Sequence, residues 1–195
     1  MNCPSIWIST MKTRRELIAW LAGREVAGAG VEVGVHRGEF AAEILELWPG
    51  EYIGVDHYQP DYDPEDPAAK GDREADKAAA KAIIEKRPNA RLLVCSSASA
   101  AVMLRTAKKP VAWVYIDACH RFQDVLEDLF WWHSVVVPGG IVAGHDIVNG
   151  SMWTSDVMRA VVDFCMHVHI PTLHIIPDTP GSFFFEKSRE LPCVA

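Results

Sequence analysis

Hydrophobic positions along the chain follow two alternating rhythms. Short apolar runs bounded by Gly, Pro or Asp read as buried strands, and stretches with apolar residues three and four apart read as amphipathic helices. Residues 12–24 have the helical spacing, with Leu17, Ile18, Trp20 and Leu21 on one stripe, before Gly28 and Gly30 break it. A strand at 31–35, a helix at 39–47 and a strand at 52–56 follow. Residues 72–86 read as a strong helix, with an Asp cap, alanines and interleaved Lys and Glu. Next come a strand at 91–95, a helix at 99–107, a strand at 111–116, and a helix at 122–135 carrying Leu126, Leu129, Phe130 and Trp131. Pro138-Gly139-Gly140 is expected to end that segment ahead of a strand at 141–144, and 154–167 is the next helix. Segments 173–176 and 182–186, joined by a Pro/Gly turn, read as a closing hairpin.

Strand–helix alternation of this kind predicts a Rossmann-like α/β fold: a mostly parallel, seven-stranded sheet with helices on both faces and a C-terminal antiparallel hairpin. One domain, 1–195, accounts for the length, with 1–29 as a helical lead-in. Residues 58–71, YQPDYDPEDPAAKG, hold too much Pro for helix or sheet and form a loop, either a lid over a site or a passive surface segment.

Composition narrows the partners. The 195 residues are 49% hydrophobic and carry a net charge of −7. With no basic run, phosphate-backbone binding lacks its clustered cations, so nucleic acid is not expected. No apolar stretch reaches the roughly 18 residues of a membrane span, and the N-terminus lacks the order of a signal peptide. The five cysteines, Cys3, Cys95, Cys119, Cys165 and Cys193, are scattered without a CxxC pair. They argue against a disulfide framework or zinc knuckle and for a reducing, cytoplasmic setting. The expected partner is a small-molecule substrate, with a homo-oligomer left open.

Two clusters carry candidate chemistry. The first is Glu32-Val33-Gly34-Val35-His36-Arg37-Gly38, where the first strand of the βαβ series turns into a helix. Ligands of open α/β sheets bind at such strand ends. A dinucleotide fingerprint would place Gly where His36 stands, to admit a pyrophosphate. S-adenosylmethionine (SAM) has no phosphate, and Glu32 suits its cationic amino group. Asp56, closing the next strand, can accept from both ribose hydroxyls. Ser96, Ser97 or Ser99 can meet the adenine edge, and Ser97 is taken as the candidate. Five β/α steps followed by an antiparallel pair also match SAM methyltransferases better than dehydrogenases.

The second cluster is Asp117 and His120, with His145 and Asp146 further on. Asp117 and His145-Asp146 close successive strands. If those strands pair, about 4.8 Å apart, the two carboxylates converge. Carboxylates that close repel unless a cation lies between them, and a hard divalent ion such as Mg²⁺ or Mn²⁺ fits. His120, with an unperturbed pKa of about 6.5, is the candidate proton acceptor. His145 is an open third ligand, since neighbours along a strand point to opposite faces. His167, His169 and His174 read as surface or packing residues, and Trp131, Trp132 and Phe183 to Phe185 as core in preference to a substrate cage.

The blocks VEVGVHRGEFAAEIL, YIGVDHY and YIDACHRFQDVLEDLFWWHSVVVPGGIVAGHDI resemble the small bacterial methyltransferases related to macrocin and mycinamicin sugar O-methyltransferases, over roughly 30–147. That family's pattern is I-D-G-x-H, a helix bearing Asp, P-G-G, then H-D or E-D. Here it falls on Ile116, Asp117 and His120, then Asp128, Pro138-Gly139-Gly140 and His145-Asp146, with Ala118 in place of the usual Gly. The resemblance implies SAM at the first block, contacting Glu32, Gly34, His36, Gly38, Asp56, Ser97 and Asp117. It implies a divalent metal on Asp117, His145 and Asp146, and a base on His120. The long additions of antibiotic-modifying enzymes are missing, so a macrolide substrate is not implied. The expected function is O-methylation of a small polar hydroxylated compound, with His120 and Asp117 as catalytic residues. The alternatives are a hydroxylase using His120, His145 and one Asp as a two-His-one-carboxylate iron site, a non-catalytic SAM-binding protein, and, last, a nicotinamide dehydrogenase.

Overall fold

A computed structural model describes residues 3–60, 70–148 and 155–189. The expected lid, 58–71, falls largely on 61–69, outside the described residues. The chain runs β1 (Ser5–Ile8), α1 (Arg14–Ala22), β2 (Ala29–Val33), α2 (Glu39–Leu47), β3 (Tyr52–Asp56), α3 (Arg73–Ile84) and β4 (Ala90–Val94). It continues with α4 (Ser97–Thr106), β5 (Val111–Ile116), α5 (Phe122–Val135), β6 (Val136–Gly144), α6 (Asp156–His167), β7 (Thr172–Ile176) and β8 (Ser182–Glu186). Side chains start the helices where the sequence offers caps. Thr13 accepts from the Glu16 N–H, Asp72 from Ala75, Ser96 from Ser99 and Ser155 from Met158.

The strands form one eight-stranded sheet in the order β1-β7-β8-β6-β5-β2-β3-β4. β8 is antiparallel to both β6 and β7, while β2, β3, β4, β5 and β6 pair in parallel. The expected seven strands are joined by an eighth. β1, inside the lead-in read as helical, pairs in parallel with β7. Its four residues SIWI are mostly exposed, so no alternation announces them. A second difference concerns Pro138-Gly139-Gly140, which lies within β6 instead of ending the preceding segment. The β5–β6 register shifts there, from Val111 opposite Val136 to Trp113 opposite Ile141. Gly139 adopts φ 78° and its N–H donates to Lys187 O at 2.9 Å.

Alternation along the strands divides the core. Val31, Val33, Val114, Ile116, Phe183 and Phe185 face α4, α5 and α6 with Leu104, Leu129, Trp132 and Phe164. Trp113, Tyr115, Ala143 and Phe184 face α1, α2 and α3 with Leu17, Ile18, Phe40, Ile44 and Ile84. Residues expected to pack do so: Trp132 and Phe183 to Phe185 are buried, and His174 stacks on Phe184 at 4.6 Å. Strand order reverses between β2 and β5, the switch point at whose carboxyl ends ligands bind in such sheets.

Candidate active site

A cleft of about 250 Å³ opens at this switch point. Its wall includes Glu32 near the end of β2, Gly34 and His36 after it, Asp56 closing β3, Ser97 of α4, and Asp117 and His120 after β5. Six of the seven expected cofactor contacts therefore share one cavity. Gly38, the seventh, has another task. It holds φ 85°, and an added Cβ would press on Ala80 of α3, so its missing side chain lets α2 and α3 approach. Gly34, at φ 89°, lies under the Asp117 carbonyl, with which a Cβ would collide. Both glycines serve the protein's own close approaches.

Glu32 is buried on the α1–α3 side of β2 and accepts a hydrogen bond from the Tyr52 hydroxyl. Burial pushes its pKa up to about 8, against the opposing pull of the Tyr52 hydrogen bond and of Arg14. Asp56 accepts from the backbone N–H of His36 at 2.9 Å and of Tyr58 at 2.8 Å. The guanidinium of Arg73 stands 3.5 Å from it and 3.2 Å from Asp76. His36 thus contributes its backbone, held at φ 51°, while its ring lies 3.5 Å from Asp76.

Of the three candidate serines, Ser96 and Ser99 hydrogen-bond each other at 2.8 Å around the α4 cap. Ser97 lines the cleft and accepts from the Trp132 indole at 2.8 Å. Asp128, the helix acid in the α5 motif, is buried. Its pKa rises to about 6 through desolvation, opposed by a hydrogen bond from Ser97.

Asp117 and Asp146 converge, and two imidazoles join them. His120 Nε2 lies 3.7 Å from Asp117 Oδ1 and 3.2 Å from Asp146 Oδ2. His145 Nδ1 lies 3.4 Å from Asp117 Oδ2 and 3.3 Å from Asp146 Oδ2. Alternation does not separate His145 from Asp146, because β6 has ended at Gly144. The His145 N–H caps β5 by donating to Ile116 O at 3.0 Å, and Asp146 turns back at φ 57°. Potential ligand atoms of Asp117, His120 and Asp146 all lie within 4.8 Å of one another. His120, expected as the base, therefore enters the group of possible metal ligands, and His145, expected as a ligand, flanks it. Burial would raise the Asp117 pKa, but hydrogen bonds from His120 and His145 and the charge of Arg14 outweigh it and hold the carboxyl below the usual carboxylate range. Burial likewise opposes protonation of His145, yet its hydrogen bonds to Asp117 and Asp146 push its pKa up to about 9.

Two arginines entered the site without a signal in the sequence. Arg73 comes from α3, beyond the Pro-rich loop. Arg14, at the start of α1, places Nη1 3.2 Å from Asp117 Oδ2 and its guanidinium 4.2 Å from the Phe40 ring centroid. Neither belongs to a motif, and helix faces alone do not reveal which arginine reaches across a sheet end.

A parallel sheet with helices on both faces, a closing antiparallel strand and an acid at the carboxyl end of each of β2, β3 and β5 is the architecture of a methyltransferase. The sequence profile of the methyltransferase domain family matches residues 31–147, and the chain belongs to that family. No curated relative matches it. Among solved structures it is similar to the O-methyltransferase TomG of Streptomyces achromogenes, involved in tomaymycin synthesis and determined with SAM. Identity is 14%, the TM-score 0.61, and the match covers 90% of this chain and 80% of that one. An O-methyltransferase from Bacillus cereus, in complex with S-adenosylhomocysteine (SAH), gives 15% identity and a TM-score of 0.62 over 95% of this chain and 85% of the other. The calicheamicin methyltransferase CalS11 gives 16% and 0.61 over 89% and 77%. At these identities the likeness is one of fold. Family membership answers the hydroxylase and dehydrogenase alternatives. No described helix is long and apolar enough to cross a membrane.

Proposed function

We propose that the chain is a SAM-dependent O-methyltransferase that acts on a small polar hydroxylated compound with the help of a divalent cation. The observation that carries this reading is the meeting of Asp117, His120 and Asp146 within 4.8 Å, beside a cleft that also holds Glu32 and Asp56. The likeness of residues 116–146 to sugar O-methyltransferases supports a hydroxyl acceptor, as do the O-methyltransferases among the structural neighbours.

The donor set fits a hard cation: two carboxylates and one imidazole, with His145 in contact with both carboxylates. Bound SAM would supply the methyl group, and a bound cation would supply Lewis acidity toward the acceptor hydroxyl. The chain's own residues do the rest. Asp56 has lone pairs left for the ribose diol after accepting from His36 and Tyr58. Glu32 faces the amino group, and Ser97 lies on the wall assigned to adenine. Holding donor and acceptor in line at the switch point supplies much of the acceleration, because positioning removes the entropic cost of the encounter.

A second reading concerns His120 alone. Its side chain is 41% exposed, against 12% for His145. That exposure on the cleft wall favours proton acceptance from the substrate. A nitrogen that gives its lone pair to a cation does not take a proton, so the two roles compete.

Calorimetry with SAM, SAH and NAD, each with and without Mg²⁺, tests the proposal. Binding of SAM and SAH but not NAD is expected, with methyl transfer to a hydroxylated acceptor dependent on the cation. Binding without any transfer would make the chain a SAM-binding protein, and preference for NAD would overturn the reading.

A further inference from the structure

Arg14 lies in the cleft among Glu32, Tyr115 and Asp117, and the proposed chemistry gives it no task. We propose that Arg14 binds the α-carboxylate of the cofactor's amino-acid end, completing with Glu32 a pair that reads the zwitterion. This rests on the SAM reading above.

The side chain is built in. Thr13 caps α1, and the Arg14 backbone N–H donates to Asp178 Oδ2 at 2.9 Å. That oxygen also accepts from Ser182 Oγ at 3.0 Å, tying the start of α1 to β8. The guanidinium then lies over Phe40, which fixes its plane without using its N–H groups. A guanidinium has five donors in a rigid fork suited to carboxylates. Among the described residues it pairs with one acid, Nη1 to Asp117 Oδ2 at 3.2 Å, and hydrogen-bonds the Tyr115 side chain, which leaves part of the fork for a ligand.

The other arginine of the cleft serves a different end. Arg73 is buried between Asp56 and Asp76, where it holds the acid assigned above to the ribose. Arg14 keeps 28% of its side chain exposed and faces Glu32, the acid suited to an ammonium. An ammonium and a carboxylate on one carbon need an acid and a base side by side, and Glu32 with Arg14 is such a pair on this wall. A carboxylate of the methyl acceptor would offer Arg14 the same chemistry. The proximity of Glu32, at the end of β2 and away from α6, favours the cofactor.

The test compares two ligands on the full chain by calorimetry: SAH, and 5′-deoxy-5′-(3-aminopropylthio)adenosine, which is SAH without its carboxylate. Wild type should prefer SAH by about 10- to 100-fold, the range for a hydrogen bond between charged groups. Arg14→Met should lose that preference while binding the decarboxylated ligand within roughly twofold of wild type. Arg14→Lys should restore part of the preference, since it keeps the charge without the fork. Glu32→Gln should weaken both ligands alike, because both keep the amine. A wild type that binds the two ligands equally overturns the proposal, and that arm needs no variant to fold. Equal loss of both ligands in Arg14→Met overturns it too, in favour of a structural role, and unchanged SAH affinity in that variant assigns Arg14 to the acceptor. Failure of wild type to bind SAH at all overturns the SAM reading beneath it.

Discussion

His120 Nε2 lies 3.2 Å from Asp146 Oδ2, although one residue leaves β5 and the other leaves β6. The β5–β6 register pairs Ile116 with Gly144, so Asp117 and His145 are the first residues past the two strands. Asp146 would then point away. Its left-handed backbone reverses that direction, a conformation Asp tolerates better than most residues. That backbone torsion adds Asp146 to a group that already holds Asp117, His120 and His145.

The metal reading predicts that EDTA abolishes methyl transfer and that Mg²⁺ or Mn²⁺ restores it. Asp117→Asn and Asp146→Asn should lose Mn²⁺ binding, followed by electron paramagnetic resonance, while SAH affinity falls far less. Full activity in EDTA-treated, metal-free protein would remove the cation from the proposal.

Asp56→Asn tests the ribose assignment. The amide has one acceptor oxygen where the carboxylate has two, and His36 and Tyr58 already use both. SAH binding should weaken by about 1.5–3 kcal/mol, the range for hydrogen bonds to a charged group. The melting temperature should be recorded alongside, because Arg73 also loses its charged neighbour. Unchanged SAH affinity would detach Asp56 from the cofactor.

Much of this was legible in advance, and the reasons are local. The helix Glu39–Leu47, the strands Tyr52–Asp56 and Val111–Ile116, and the helix Phe122–Val135 fall on their expected bounds. Each is bracketed by Gly, Pro or a charged loop, and each buries a continuous face. Other features depended on tertiary partners. β1 exists because β7 offers it an edge, and Pro138-Gly139-Gly140 stays in β6 because the Gly139 N–H donates to Lys187 O and the Lys187 N–H donates to Gly140 O across the bulge. The turn of Asp146 back toward His120 depends on its left-handed φ, which no pattern of residue types encodes. Arg14 and Arg73 reach the cleft through helix placement, and that is set by packing across the sheet.

Gly34 provides a test of the site's scaffold. Gly34→Ala must hold φ 89° with a side chain, which alone costs about 1–2 kcal/mol. Its Cβ would also collide with the Asp117 carbonyl, so β2 and β5 must separate at the switch point. The variant should melt well below wild type and lose SAH binding in whatever fraction stays folded. A melting temperature within error of wild type would show that the strand ends are not held this closely.

Glu32 makes stability depend on pH in a defined direction. Its pKa is about 8 in the folded chain and 4.5 when unperturbed, so the native state keeps a proton that the unfolded state has lost. The resulting stability is fully present below about pH 4.5 and is lost as pH rises toward 8, at no more than about 1.4 kcal/mol per unit. Glu32→Gln retains an acceptor for Tyr52 but cannot titrate. The melting temperature of wild type relative to this variant should therefore fall steadily between pH 5 and 8, in metal-free buffer without cofactor. A constant difference across that window would place the carboxyl in a far more polar setting than its burial indicates.

The competition between the two roles of His120 can be decided by measuring binding and turnover on the same variants. As a ligand, His120 holds the cation with Asp117 and Asp146, so His120→Ala should weaken Mn²⁺ binding strongly and His145→Ala less, since His145 only steadies the carboxylates. Turnover in His120→Ala should then recover as Mn²⁺ is raised toward saturation. As a proton acceptor, His120 leaves the cation alone. Mn²⁺ affinity would then stay near wild type, and kcat would fall by about 10²- to 10⁴-fold at every metal concentration, the usual worth of general-base help. The distances within the Asp117–His120–Asp146 group favour the first outcome. Wild-type Mn²⁺ affinity in His120→Ala, combined with a kcat that saturating metal does not rescue, would transfer His120 from the ligand set to the base. Wild-type kcat and wild-type affinity together would exclude it from both.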